Sequence, residues 1–396
     1  MTMRAQRPFA FLLLLAGIAC VSEEIDVFPE WTIPVPEGTP VREPAVAPAQ
    51  ERTQTIELER DLVLREAFGR GFFRPLDVAA AADGRVFVLD DGNDRVVAFD
   101  GDGSPLFEFG RAGGGPGEFA FPTGFGVAGD EVIVSDRGNS RLSVYRIDGT
   151  HLTDHVLETP LALRDVVRTG EELVVHVAPS LGMALRGPPH PRVPWFVGRY
   201  TPEGAERARL IELTAFNKAV VRSQYIGELP VVVANPIFVL GENGRVFATA
   251  GDEYQVAAVG PDGDYLWSLR ASWPVEPVTE ERQQQLIDAY VASEEIFANA
   301  TYDWPGRYAA IENLEVDGNG NLWVFPYAYR PYGVDPGLEH LVPVDIYSPD
   351  GDLLLSGLSP LAAWDAAHGD HVFRIESDGE SGEDVVARYR LAAAWE

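Results

Sequence analysis

Residues 72–110 read FFRPLDVAAAADGRVFVLDDGNDRVVAFDGDGSPLFEFG and divide into four short strands. Val78 to Ala82 is small and apolar, as suits an innermost strand beside a crowded axis. Val86 to Leu89 is a continuous apolar run, Arg95 to Phe99 a third strand and Pro105 to Phe109 an outer fourth. Asp83-Gly84 and Asp102-Gly103 supply the tight turns, because glycine takes positive φ at little cost.

The unit repeats at once. Residues 110–149 read GRAGGGPGEFAFPTGFGVAGDEVIVSDRGNSRLSVYRIDG, and the segments LDDGNDRVVAFD and VSDRGNSRLSVYR align without gaps. Both resemble the NHL repeat, with its D..N.R core. The stretch FGRAGGGPGEFAFPTG, residues 109–124, resembles that family's link between blades. The resemblance implies an all-β, six-bladed β-propeller of four-stranded sheets. Later segments keep the strand rhythm and lose the motif: EELVVHVAP and WFVGRYTPEG for a third blade, FVLGENGRVFATAG for a fourth, LEVDGNGNLWVFPYAY for a fifth. A sixth begins at Leu361 and ends one strand short. The spare segment TIELERDLVLREAF, residues 55–68, is expected to supply that strand, since an open edge would leave unpaired backbone groups.

A repeat fold also fits the length of 396 residues, because each blade packs only on its neighbours, whereas single cores stop growing near ~250–300 residues. The domains expected are a signal peptide over 1–19, a lipidated Cys20 with a proline-rich tether over 20–54, and the propeller over 55–396. Arg4 and Arg7 precede an apolar run from Phe9 to Ile18, too short to span a bilayer, and the only cysteine, Cys20, follows it. This resembles a bacterial lipoprotein signal, which implies a cell-envelope protein anchored by lipid. Cleavage after Ala19 would instead give a secreted one. Prolines 29, 34, 36, 40, 44 and 48 favour an extended spacer, which at ~3.1 Å per residue reaches roughly 100 Å. Deletion of 21–54 is therefore expected to cost little stability beside deletion of 55–68.

A formal net charge of −30 argues against nucleic acid and anionic lipid headgroups as partners, and a monomer is expected. The short turns such as Asp148-Gly149, Asp262-Gly263 and Asp350-Gly351 belong to one face of the ring. The long insertions, 179–194, 214–234, 272–307 and 326–340, all belong to the opposite face. Long loops in compact domains are often functional. Within 272–307, Thr279 as N-cap with Glu280 and Glu281 predicts a helix between blades four and five, with Leu286, Ile287 and Tyr290 on its apolar side.

That face gathers Arg192, Trp195, Phe216, Arg222, Tyr225, Tyr302, Trp304, Arg307, Tyr327, Tyr329, Arg330 and Tyr332. Aromatic and arginine side chains suit a small-molecule, carbohydrate or protein ligand. Near the entrances of the inner strands stand Arg74, Asp77, Asp165, Asn235, Glu312 and Asn313. In gluconolactonase-like propellers, which the fold resembles, acidic and amide residues there hold a divalent cation, and oxygen donors suit calcium or magnesium. The leading expectation is a binding propeller using its long-loop face. The alternative is a metal-dependent hydrolase or lyase at the channel mouth. No HExxH or GxSxG element is present.

Overall fold

The computed structural model describes residues 33–156, 162–178, 195–213, 217–223, 227–234, 236–241, 243–275, 277–293, 301–304, 306–327, 341–379 and 381–391. Cys20 and the expected signal peptide lie outside them.

The chain forms a six-bladed β-propeller. Blade one comprises Pro75–Ala80, Val86–Asp90, Arg95–Phe99 and Pro105–Phe109, paired antiparallel in chain order. Blade two follows as Pro122–Ala128, Glu131–Asp136, Arg141–Arg146 and His151–Val156. Ala162–Thr169, Glu172–Ala178, Trp195–Tyr200 and Glu206–Leu213 build blade three. Blade four is Ile237–Leu240, Val246–Thr249, Gln255–Val259 and Tyr265–Arg270. Blade five is Ile311–Val316, Leu322–Pro326, Val342–Tyr347 and Leu353–Ser359. Blade six has only Ala366–His368, His371–Ser377 and Asp384–Leu391 from the C-terminal end. Its outer strand is Leu58–Leu64, with Leu58 opposite Leu391 and Leu64 opposite Val386. The ring is thus closed by the two ends of the propeller sequence, as expected.

Period-two alternation explains why the strands are apolar on both faces. Val86 and Val88 enter the cluster shared with blade six, while Phe87 and Leu89 enter the one shared with blade two. The buried apolar residues divide into six such clusters, one at each interface between neighbouring blades.

In blades one and two the D..N.R motif is a buried tie between the blade and the link that enters it. In blade one, Asp90 accepts from Arg95 Nε (2.9 Å), Asn93 (2.7 Å) and the Phe73 amide (2.8 Å). Arg95 in turn donates to the Arg70 carbonyl at 3.1 Å. Blade two repeats this: Asp136 accepts from Asn139 and from the Ala120 and Phe121 amides, and Arg141 donates to the Gly115 and Glu118 carbonyls. These groups are consumed by structure.

Residues 33–54, expected as part of a free tether, instead run along the outside of the ring. Ile33 is buried in the cluster between blades three and four. Val41–Arg42 adds a fifth, parallel strand to blade four, with Val41 opposite Ser268. Further on, the Ile56 amide donates to the Leu358 carbonyl and the Leu358 amide to that of Gln54, both at 2.8 Å, on the edge of blade five. Proline lacks the amide proton a full added strand would need, so the segment touches the edges at intervals.

The belt is pinned by Arg52. Its guanidinium is fully buried and pairs with the equally buried Asp345 at 3.0 Å. It also donates to the carbonyls of Ala47 (2.9 Å) and Gly357 (3.1 Å) and lies 5.1 Å from the Trp273 ring centre. Asp345 is further held by Tyr254 and Ser356 hydroxyls. The cheap removal expected for 21–54 therefore does not apply to the part from 33 onward.

Candidate functional site at the channel mouth

The inner strands share a defect. Each of those in blades one, two, three and five carries a β-bulge near its start, at Leu76, Thr123, Arg164 and Glu312. Bulges of this kind re-aim the following side chain. The residues immediately after them are Asp77, Gly124, Asp165 and Asn313. Asp365, just before the inner strand of blade six, joins this ring, fixed by its own amide on Phe373 (2.8 Å) and by the Ile375 amide on its carboxylate (2.6 Å).

The ring is acidic. Asp77 accepts from the Val78 amide (2.9 Å) and the Phe125 amide of the next blade (3.4 Å), and Asp165 from the Val166 amide (2.8 Å). Glu315, two residues beyond Asn313 on the same side of its strand, accepts from the Asn313 amide group at 2.7 Å. Among the described residues no arginine, lysine or histidine pairs with Asp77, Asp165 or Glu315. Burial raises all three carboxyls: Asp165 to about 6, Glu315 to about 8 and Asp77 well above its usual range. The negative charge of Asp365 adds to the shift of Asp77 and of Glu315, and that of Asp165 does the same.

On the same face of the ring, the links that follow blades three and four meet. Asn217–Ser223 and Gly227–Ala234 form a hairpin, and Thr301–Asp303, from the later link, pairs with its first strand. Val221 stands opposite Tyr302 and Arg222 opposite Thr301. Both segments were expected as loops; their alternating Val-Val and Thr-Tyr runs are strand formers once they find each other. The expected helix is present at Glu280–Ser293, and Thr279 caps it through the Arg282 amide at 3.3 Å. Arg282 Nε donates to Tyr308 Oη at 3.1 Å, and the Val278 amide to Gly306, so the helix start is fastened to its own insertion.

The other sequence-predicted residues separate into several groups. Arg74 is exposed, holds Asp91 at 3.0 Å and adopts φ 52°, a left-handed conformation rare outside glycine. Trp195 opens the third strand of blade three with its ring 6.1 Å from that of His176. Tyr302 stacks on Trp304 with centroids 5.8 Å apart. Arg307 bridges to Pro277 through the backbone, and Glu312 is the bulge of blade five. Tyr327 stacks on Tyr308 at 4.6 Å, and its carbonyl accepts from Trp273 Nε1 at 3.1 Å. Arg222 is placed by its backbone alone. Arg192, Asn235 and Arg330, with Phe216, Tyr225, Tyr329 and Tyr332, lie outside the described residues, as do the insertions 179–194 and 328–340. Glu315 and Asp365 were missed. The two-residue spacing from Asn313 was the available clue for Glu315; Asp365 carries none, because blade six has lost the motif.

No group of three or more His, Cys, Asp or Glu among the described residues is close enough to hold a divalent cation.

The turn that carries Phe73 needs glycine at position 92. A Cβ there would stand 2.2 Å from the Phe73 carbonyl oxygen and 2.4 Å from its ring. Gly92→Ala should therefore cost about 1–3 kcal/mol by overpacking, read as a lower urea midpoint. An unchanged midpoint would mean that Phe73 does not sit on this turn.

A family model described as a 6-bladed beta-propeller matches residues 76–169. The architecture is shared. Among solved structures, a DUF4221 family member from Bacteroides vulgatus is 9% identical with a TM-score of 0.51, covering 85% of this chain and 98% of its own. A Bacteroides fragilis protein predicted to be exported is 11% identical, TM-score 0.49, over 89% and 99% of the two chains. A gluconolactonase from Xanthomonas campestris is 15% identical, TM-score 0.44, over 93% and 99%. No curated protein matches in sequence. Likeness at these identities speaks for the fold alone. No helix among the described residues is long and apolar enough to cross a membrane.

Proposed function

We propose that this chain is an exported binding propeller of the cell envelope, held to the membrane by lipid on Cys20, whose ligand enters from the long-loop face and ends at the channel mouth. The observation carrying this reading is the convergence just described. Two links far apart in sequence are sewn into one sheet on the face where four bulged inner strands present Asp77, Gly124, Asp165 and Asn313. Inner-strand bulges weaken the sheet and are retained here in four blades, which supports a functional demand on the side chains they redirect. The ligand is a small molecule, a carbohydrate or a segment of a protein partner.

The test is a thermal-shift screen of metabolite, oligosaccharide and peptide panels against the wild type and an Asp77→Asn/Asp165→Asn variant. Compounds that stabilise the wild type and not the variant are expected. A panel without hits, or hits that survive both substitutions, would remove the mouth as the site.

A further inference from the structure

Three bulky apolar side chains stand open on the long-loop face, at the start of blades one and two. Phe73 is 59% exposed, Phe121 45% and Leu76 40%. Their exposure is built in by the repeat. The Phe73 amide is held by Asp90 and its carbonyl by the Gly92 amide (2.8 Å each). Phe121 is held in the same way, by Asp136 at 3.3 Å and by the Arg137 amide at 3.1 Å. Both rings already carry a guanidinium, that of Arg74 at 5.5 Å and that of Arg137 at 5.8 Å, as aromatic faces favour cations.

Leu76 is the bulge residue directly before Asp77, so apolar surface and carboxylate are neighbours. Gly124 stands between the two aspartates in the ring. Beside it lies a crevice about the size of one water molecule, with Phe125 and Leu142 among its walls and Asp165 at its margin. The mouth is thus an anionic centre with an apolar approach. Among the described residues no three carboxylates stand close enough together to grip a divalent ion, whereas an organic cation needs only one of them and can also use the apolar approach.

We propose that the mouth takes an organic cation with an apolar body, an alkyl- or arylamine, with its charge at Asp77 and Asp165 and its body on Phe73, Leu76 and Phe121. This rests on the mouth being the binding site and names the chemistry of what binds.

The experiment is isothermal titration of the exported chain at pH 8 with phenethylamine, 2-phenylethanol, methylamine and calcium chloride. Phenethylamine is expected to bind, with 2-phenylethanol and methylamine each at least tenfold weaker. Asp77→Asn/Asp165→Asn should weaken phenethylamine at least tenfold. Phe73→Ser/Phe121→Ser should weaken it several-fold while the far-ultraviolet circular dichroism spectrum stays that of the wild type, since both rings are about half exposed. No phenethylamine binding, equal binding of the neutral alcohol, or indifference to the phenylalanine substitutions overturns the ligand class. Calcium that binds alone, displaces the amine and is lost in the aspartate variant also overturns it, while leaving the mouth as the site. The site itself falls only by the broader screen above.

Discussion

Arg52→Ala is expected to lower the unfolding free energy by about 3–5 kcal/mol, the cost of leaving a buried charge without its partner. The carboxylate left behind is that of Asp345, fully buried at 3.0 Å from the guanidinium. Two hydroxyls would remain on it, from Tyr254 and Ser356, and neither carries charge. The loss also removes the anchor of the belt against Ala47 and Gly357 and the packing of the guanidinium on Trp273. Replacing both partners, Arg52→Met with Asp345→Leu, should recover most of the stability, because no buried charge is then stranded. Urea unfolding followed by tryptophan fluorescence reads both. If residues 33–54 were a free spacer, Arg52→Ala would shift the midpoint by nothing measurable, and the belt would have to be abandoned.

Glu315→Gln should act in the opposite direction and depend on pH. The folded protein holds the Glu315 carboxyl at about 8, against 4.5 for an ordinary glutamate. Between those values the native state binds a proton that the unfolded chain has released. Stability from this group is full below about pH 4.5 and is lost as pH rises through 8. Glutamine has no proton to lose. The variant should match the wild type near pH 4 and exceed it at pH 9 by on the order of a few kcal/mol, at about 1.4 kcal/mol per pH unit before solvent screening in the channel is allowed for. A difference that is equal at both pH values would show that burial does not hold the Glu315 carboxyl above its ordinary range. An amine at the mouth should narrow the gap at pH 9, since added positive charge eases ionisation of the ring.

The two variants also mark how far the sequence could be read. The blades were legible because their information is local. Asp83-Gly84 and Asp148-Gly149 set the turns, alternation in Val86–Asp90 sets two buried faces, and the D..N.R spacing sets a tie completed within its own blade and the link just before it. Ring closure by Leu58–Leu64 was legible for a related reason: blade six is one strand short, and an edge without partners demands one.

What the sequence by itself determined is therefore the repeat, its count and its closure, all of which follow from short-range periodicity and from the need to satisfy backbone hydrogen bonds. Tertiary structure alone decided the rest. Arg52 meets Asp345 across 293 positions of chain, and Val221 finds Tyr302 in another insertion. Asp77 and Asp165 were legible at the entrances of their inner strands, but Glu315 and Asp365 join them only in the closed ring. No periodic pattern encodes such meetings. They arise because a closed ring brings every blade to one axis and every outer edge within reach of one belt.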